Sequence, residues 1–189
     1  LTPVPARGGG MTVTDETGAP WRMYLYIERA RTVESAASPA QAEEVARAFG
    51  RFQAQLADLP GPRLGETIPG FHDTRRRFDA LLEAAARAEA GRAAAAAEDI
   101  AFARQREPMV DVLLHLLQTG GLPERVTHND TKINNVMLDT VTGEGVCVID
   151  LDTVMPGLAL YDFGDMVRTV TASAAEDERD LRKVSMRMP

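Results

Sequence analysis

The stretch from Val126 to Asp165 constrains the fold more strongly than any other part of this chain. It reads VTHNDTKINNVMLDTVTGEGVCVIDLDTVMPGLALYDFGD. The apolar run Gly145 to Ile149 ends at an acidic residue, and we expect it to form one strand of a β-hairpin between Val136 and Ile149. The stretch therefore predicts a compact unit in which carboxylate and amide side chains meet on one wall of a cleft.

The spacing of the polar residues indicates a particular chemistry. His128, Asp130 and Asn135 fit the pattern H-x-D-x-x-x-x-N, and Asp150 follows at the end of the apolar run. Transfer of a nucleotide's terminal phosphoryl group requires Mg²⁺ held by hard oxygen ligands, a role that suits Asn135 and Asp150. A further carboxylate must orient the acceptor hydroxyl and take its proton, and we assign this role to Asp130.

Two neighbouring residues complete the predicted site. Lys132 lies two positions after Asp130, so its ammonium group would enter the same cavity, where the charge on the phosphoryl group needs stabilising. His128 is predicted to support the loop rather than to react. The pattern thus predicts a phosphoryl-transfer site with Asp130 and Lys132 as catalytic residues.

The segments THNDTKINNVMLD and VCVIDLDTVMPGLALYDFGDMVR resemble the catalytic and metal-binding segments of the aminoglycoside phosphotransferase and choline kinase-like superfamily. Within it, the chain is most similar to the N-acetylhexosamine 1-kinases. The stretches WRMYLYIE, FGRFQAQLADLP and ETIPGFHDTRRRFDALLEA share this resemblance, which covers most of the chain from about Trp21. The resemblance implies phosphorylation of the anomeric hydroxyl of an N-acetylhexosamine by ATP and Mg²⁺, with Asp130 as catalytic base and Asn135 and Asp150 as metal ligands.

The triplet Asp162, Phe163 and Gly164 spells D-F-G, which in protein kinases contains a metal-binding aspartate. The strand that should present such an aspartate ends instead at Asp150. The residues LALY before Asp162 follow a Pro-Gly pair and make a poor strand. We therefore predict that Asp162 is a structural acceptor that fixes the catalytic loop.

A second enzyme class fits part of the same segment. VCVIDLDTV resembles the first motif of haloacid dehalogenase-type phosphatases, in which Asp150 would be the nucleophile and Asp152 the acid and base. That class needs further motifs, and too little chain follows Asp152 to supply them. It would also leave His128, Asp130 and Asn135 unexplained.

Composition limits the remaining functions. The chain has 189 residues, 44% of them hydrophobic and 26% charged, with a net charge of −7, which disfavours a nucleic-acid partner. Its single cysteine, Cys147, rules out a disulfide framework within the chain and agrees with a reducing compartment. No apolar run is long enough to cross a bilayer, so we expect a cytoplasmic protein with no membrane partner.

The amino-terminal region predicts a β-hairpin, because two β-rich runs, Met11 to Thr14 and Trp21 to Ile27, flank the turn DETG. The kinase resemblance implies that these are the last strands of a small lobe and that Ile27 to Arg29 begin a hinge facing adenine. No P-loop or kinase glycine-rich loop is present. We therefore expect residues 1–29 to be a remnant of the amino-terminal lobe and residues 30–189 a kinase-like carboxyl-terminal lobe truncated at its end.

The middle of the chain is predicted to be helical. Ser38 is a good N-cap, with Pro39 at the first helical position and Gln41 completing a capping box. In this helix, one apolar stripe is predicted from the spacing of Val45, Phe49, Phe52 and Leu56. A second helix is expected after Asp73, with one shared face formed by Phe78, Leu81, Leu82 and Ala85, and a third helix is expected to start at Pro108. Beyond the catalytic segment, the chain contains an acidic run from Glu176 to Asp180.

These observations predict an α/β (α+β) fold of the protein-kinase type, with a few amino-lobe strands and a mainly helical carboxyl lobe containing a catalytic β-hairpin. The predicted substrates are a nucleotide and a sugar. Two alternatives stay open, since fold does not fix the acceptor. One is a related kinase acting on an aminoglycoside, choline or homoserine, and the other is a non-catalytic kinase-like binding module.

Overall fold

The computed structural model describes residues 1–87, 91–174 and 178–186, so the acidic run 176–180 lies partly outside the described residues. The chain divides into two compact units. The first unit contains Leu1–Ala54, Asp130–Leu151 and Gly164–Pro189, and the second contains Gln55–Asn129 and Asp152–Phe163. Both helices and short sheets are present, which confirms the predicted mixture of α and β structure.

The elements are short apart from three helices. The strands are β1 (Val13–Thr14), β2 (Pro20–Trp21), β3 (Ala30–Arg31), β4 (Arg125–Thr127), β5 (Val136–Asp139), β6 (Gly145–Val148) and β7 (Met155–Gly157). The α-helices are α1 (Pro39–Gln55), α2 (Thr74–Arg87), α3 (Arg92–Ala95), α4 (Ala97–Gln105), α5 (Glu107–Val110), α6 (Val112–Gln118) and α7 (Ala159–Thr171). Short 3-10 helices occupy Ile133–Asn135, Leu151–Thr153 and Leu181–Lys183.

The central sheet of the first unit is the predicted hairpin with one added strand. Strands β5 and β6 pair antiparallel, and β3 pairs with the other edge of β5, giving the order β3-β5-β6. The register shifts between Met137 and Leu138, which is a β-bulge. The hairpin prediction is confirmed, whereas no strand was predicted at β3.

The turn of this hairpin is closed by a carboxylate. Asp139 Oδ1 accepts hydrogen bonds from the backbone N–H groups of Val141 (2.8 Å) and Thr142 (2.9 Å). These N–H groups, Thr142 first, hold the pKa of Asp139 below its ordinary value, because they stabilise the charged form. The ionised side chain of Asp139 therefore helps to fix the turn between β5 and β6.

Helix α1 begins as its sequence predicts. Ser38 Oγ accepts the backbone N–H of Gln41 at 3.2 Å, while Gln41 Oε1 accepts the N–H of Ala37 at 2.8 Å. The reciprocal bond thus reaches the residue before the N-cap instead of the N-cap itself. Two otherwise unpaired donors at the helix start are satisfied in this way.

The hydrophobic core of the first unit lies between α1 and the hairpin. Val45 and Phe49 of α1 are 0% and 3% exposed, and they cluster with Ile133, Val136 and Leu138. Their spacing along α1 produces one apolar face, as the sequence pattern predicted. This core fixes the hairpin whose ends carry the candidate site residues.

The amino-terminal hairpin is present but shorter than expected. Strands β1 and β2 pair antiparallel, with Val13 opposite Trp21. The run Trp21 to Ile27 was expected to be β-rich, yet only Trp21 lies in a strand, and Tyr24 forms an isolated bridge with Pro3. The strand prediction was therefore wrong for most of that run.

In the second unit, α2 starts after Asp73, whose Oδ1 accepts the N–H of Arg76 at 2.9 Å. Phe78 of this helix is buried, but Leu81, which was predicted to share the buried face, is 37% exposed. Strands β4 and β7 pair antiparallel, with Thr127 opposite Met155. Among the described residues, no helix is long and apolar enough to span a membrane.

Candidate functional site

Asp130 and Asn135 form a fixed pair in the first unit. The side-chain Nδ2 of Asn135 donates to the backbone oxygen of Asp130 at 2.7 Å and to its carboxylate Oδ2 at 3.0 Å. Asn135 ends a 3-10 turn and is 6% exposed, so the surrounding core holds it in place. Because these two bonds determine the orientation of the amide, the acceptor oxygen Oδ1 is the atom that Asn135 can offer to a cation.

Lys132 joins this pair through the other carboxylate oxygen. Its Nζ lies 3.2 Å from Asp130 Oδ1, and the two side chains are 31% and 21% exposed. A carboxylate has about four lone-pair sites, so Asp130 can still accept a hydrogen bond from a ligand hydroxyl. The carboxylate is thus oriented on both sides and remains reachable from solvent.

Asp150 lies where the hairpin of the first unit ends. The N–H of Ile149 donates to the backbone oxygen of Asn135 at 2.9 Å, which extends the pairing of β5 and β6 by one step. Asp150 then adopts a left-handed conformation with φ of 58°, and its side chain is exposed. The backbone pairing therefore brings the segments that carry Asn135 and Asp150 together.

The side chains of Asn135 and Asp150 offer few oxygen donors, as is usual for a magnesium site. Within the described ranges, no three His, Cys, Asp or Glu side chains cluster in a way that could hold a metal. Mg²⁺ usually takes only one or two protein carboxylates and completes its coordination with waters and substrate phosphates. The Asn135 Oδ1 and the Asp150 carboxylate are oxygen donors of the kind that Mg²⁺ binds.

Asp162 accepts hydrogen bonds from the loop before Asp130, and these two bonds lie within the second unit. It is 3% exposed and accepts the backbone N–H groups of His128 (3.0 Å) and Asn129 (2.7 Å). It lies in the first turn of α7 rather than at the end of a strand. The D-F-G triplet is therefore helical, and the Asp162 carboxylate is engaged by backbone groups.

Asn129 is the residue of this region that the sequence reasoning missed. It is 3% exposed with a φ of 66°, and its Nδ2 donates to the backbone oxygens of Thr127 (3.2 Å) and Thr153 (3.1 Å). Asparagine adopts this left-handed conformation more readily than most residues. The residue type was therefore the one sequence signal for a special backbone position here. The neighbouring His128 side chain is fully buried, as a structural role requires.

The second unit also contains a cleft of about 220 Å³, with Asn129, His72 and Tyr161 among its lining residues. Arg63 and Glu124 form a bidentate ion pair on its wall. Arg63 Nε lies 2.7 Å from Glu124 Oε1, and Arg63 Nη2 lies 2.8 Å from Glu124 Oε2. Arg63 lowers the pKa of Glu124 through these hydrogen bonds. Polar, aromatic and aliphatic side chains all line the cleft, the aliphatic ones including Ile68, Leu114 and Leu117.

A comparison with protein families identifies the reaction class. The model of the phosphotransferase enzyme family, APH, matches residues 1–184 and so includes both the H-x-D-x-x-x-x-N segment and Asp150. The chain belongs to the APH phosphotransferase family. This APH membership supports kinase-type chemistry on a small molecule and replaces the alternative of a haloacid dehalogenase-type phosphatase.

Proposed function

We propose that this APH-family chain transfers the γ-phosphoryl group of ATP to a sugar hydroxyl, most specifically to the anomeric hydroxyl of an N-acetylhexosamine. The double hydrogen bond from Asn135 to Asp130 is the observation that carries the proposal. It links the residue proposed to orient the acceptor with the residue proposed to bind the metal. The resemblance of most of the chain to N-acetylhexosamine 1-kinases supports the choice of sugar.

The proposed reaction is a direct in-line displacement. The acceptor oxygen forms a bond to the γ-phosphorus while the bond from that phosphorus to the β,γ-bridging oxygen breaks, and ADP leaves. Asp130 accepts the hydrogen bond of the attacking hydroxyl and takes its proton as the new P–O bond forms. The Asn135 amide and the Lys132 ammonium hold this carboxylate in the orientation that the hydroxyl must meet.

Charge on the phosphoryl oxygens must be stabilised at the same time. Lys132 Nζ lies 3.2 Å from Asp130 Oδ1, so its ammonium group can stabilise charge that develops near that carboxylate. Asn135 and Asp150 would hold Mg²⁺, which neutralises charge on the β- and γ-phosphates when it is bound. His128 and Asp162 are proposed to support the loop that carries Asp130.

The remaining parts of the proposal concern organisation and location. Residues 1–29 are proposed as part of the amino-terminal lobe, with the hinge at Ile27 to Arg29, and residues 30–189 as the carboxyl-terminal lobe. A cytoplasmic location fits the single thiol, Cys147. The substrates are then a nucleotide and a neutral sugar.

An acceptor panel tests this function. ADP release is measured with N-acetylglucosamine, N-acetylgalactosamine, an aminoglycoside, choline and homoserine, and ³¹P NMR locates the phosphate on the product. We expect turnover with an N-acetylhexosamine and an anomeric phosphate. Turnover with only one of the other acceptors would replace the proposed substrate. If Mg·ATP gave neither turnover nor a thermal shift, a non-catalytic role would be favoured, because a ligand of the native state must stabilise it.

A further inference from the structure

We infer that His72 is a positioning residue for Asp130. The imidazole Nε2 of His72 lies 2.9 Å from the backbone oxygen of Asn129, whose carbonyl forms the peptide bond to Asp130. A carbonyl oxygen only accepts hydrogen bonds, so Nε2 must carry the proton and donate it. The inference rests on the proposed function in one respect, namely that Asp130 is catalytic.

The other polar backbone atom of Asn129 is held as well. Its N–H donates to Asp162 Oδ1 at 2.7 Å, so side chains from two distant segments fix the two ends of this one residue. The backbone between them has a φ of 66°, which is uncommon for a residue other than glycine. Such a conformation persists where its surroundings over-determine it, and here the hydrogen bonds of His72 and Asp162 do so.

The ring of His72 is itself fixed by aromatic neighbours. Its centroid lies 4.7 Å from that of Phe71 and 5.1 Å from that of Tyr161, with interplanar angles of 49° and 35°. Tyr161 is the residue before Asp162 in α7. One turn of this helix therefore supplies Asp162 and contacts His72, the two groups that hold the backbone of Asn129.

The loop that carries His72 is tied to the start of α2. Arg77 Nε donates to the backbone oxygen of Phe71 at 2.7 Å, and Arg76 Nη1 donates to that of Pro69 at 3.1 Å. On the other side of His72, Asp73 caps the helix through the N–H of Arg76. The imidazole is thus presented from a loop that is anchored on both sides.

In this geometry His72 is neither a general base nor a metal ligand. Its Nε2 is directed at a carbonyl oxygen and cannot accept a proton there. What it can do is restrict the peptide group from which the Asp130 side chain projects. Since misplacing a catalytic group by about 1 Å can cost about 10²-fold in rate, the hydrogen bond should act on turnover.

Two variants separate the hydrogen bond from the ring. His72→Phe keeps an aromatic ring between Phe71 and Tyr161 but removes the donor. His72→Gln removes the ring and keeps an N–H donor at nearly the same distance from the backbone. We expect kcat of the folded enzyme to fall by about 10- to 100-fold in His72→Phe and to recover to within about fivefold of the wild type in His72→Gln. The KM for Mg·ATP should stay within about twofold in both, because neither change touches the proposed metal ligands.

A merely structural role for His72 would give another pattern. Both variants would lower the melting temperature, and kcat per folded molecule would not follow the presence of the donor. His72→Phe with kcat within about twofold of the wild type would overturn the inference. If Asp130→Asn also kept full turnover, the proposed function would fail. If Asp130→Asn lost turnover while His72→Phe kept it, only the inference about His72 would fail.

A second measurement does not depend on turnover. The carbonyl ¹³C resonance of Asn129 reports the hydrogen bond directly, and it should move in His72→Phe and return towards the wild-type position in His72→Gln. Because Gln has no ring, a recovered resonance cannot be a ring-current effect. An Asn129 carbonyl resonance that is the same in the wild type and His72→Phe would contradict the contact.

Discussion

Replacing Asp162 tests how the catalytic loop is held. Asp162 is 3% exposed and accepts two backbone N–H groups, those of His128 and Asn129. Leaving a buried donor without its partner costs about 1–3 kcal/mol, so Asp162→Ala should lower the free energy of unfolding by about 2–6 kcal/mol. Asp162→Asn keeps one acceptor oxygen but turns an amide N–H₂ towards the second donor, so a loss of about 1–3 kcal/mol is expected.

Urea denaturation measures these losses as shifts in the midpoint at constant slope. A matched control is Asp79→Asn, because Asp79 is a helical carboxylate that is 55% exposed and lies 3.4 Å from Arg75. Removing such a surface ion pair should change the stability by only about 0–1 kcal/mol. If Asp162→Ala cost no more than Asp79→Asn, the two hydrogen bonds would not hold the loop, and the role given to Asp162 would be refuted.

The remaining predictions concern the hairpin turn, strand packing and the metal. Since the folded-state pKa of Asp139 is lowered, its contribution to stability is present above its unfolded pKa of about 3.9 and is lost as the pH falls through the folded value. The urea midpoint of Asp139→Asn should therefore lie below that of the wild type at pH 7 and approach it in acid; a constant difference would contradict this. Gly157→Ala would place Cβ against Thr127 Oγ1 and should lower the stability by about 1–3 kcal/mol, whereas Gly50→Ala, in an open helical position, should raise it by about 0.5–1 kcal/mol. Equal effects of the two glycine changes would refute the packing argument. Asn135→Ala and Asp150→Ala should each raise the Mg²⁺ concentration for half-maximal turnover, and an unchanged requirement would remove them as ligands.

Local sequence signals predicted the elements that are determined by nearby residues. The capping box at Ser38 and Gln41 requires contacts over only a few positions, and it is present with a small change in its reciprocal bond. The hairpin between β5 and β6 was predicted because the apolar run Gly145 to Ile149 is typical of a strand. Its bulge at Met137 and Leu138 leaves no such signal, since it depends on how the two strands pair.

The contacts around Asn129 could not be read from the sequence. His72 is 57 positions away from Asn129, and Asp162 is 33 positions away. Strands β4 and β7 have three residues each, which is too short to show a period of two. The exposure of Leu81 could not be predicted either. Helical spacing shows which residues share a face, but it does not show how much of that face the neighbouring elements bury. The sequence therefore proposes the residues of the candidate site, and tertiary packing determines how they are held.

The most direct measurement is single-turnover phosphoryl transfer from γ-³²P-labelled ATP by the Asp130→Asn variant, with Asp152→Asn as a nearby carboxylate control. Removing the carboxylate should lower the transfer rate by about 10²- to 10⁴-fold, while nucleotide affinity stays close to that of the wild type. Asp152→Asn should transfer at nearly the wild-type rate. Undiminished transfer by Asp130→Asn, or a comparable loss in Asp152→Asn, would contradict the assignment of Asp130.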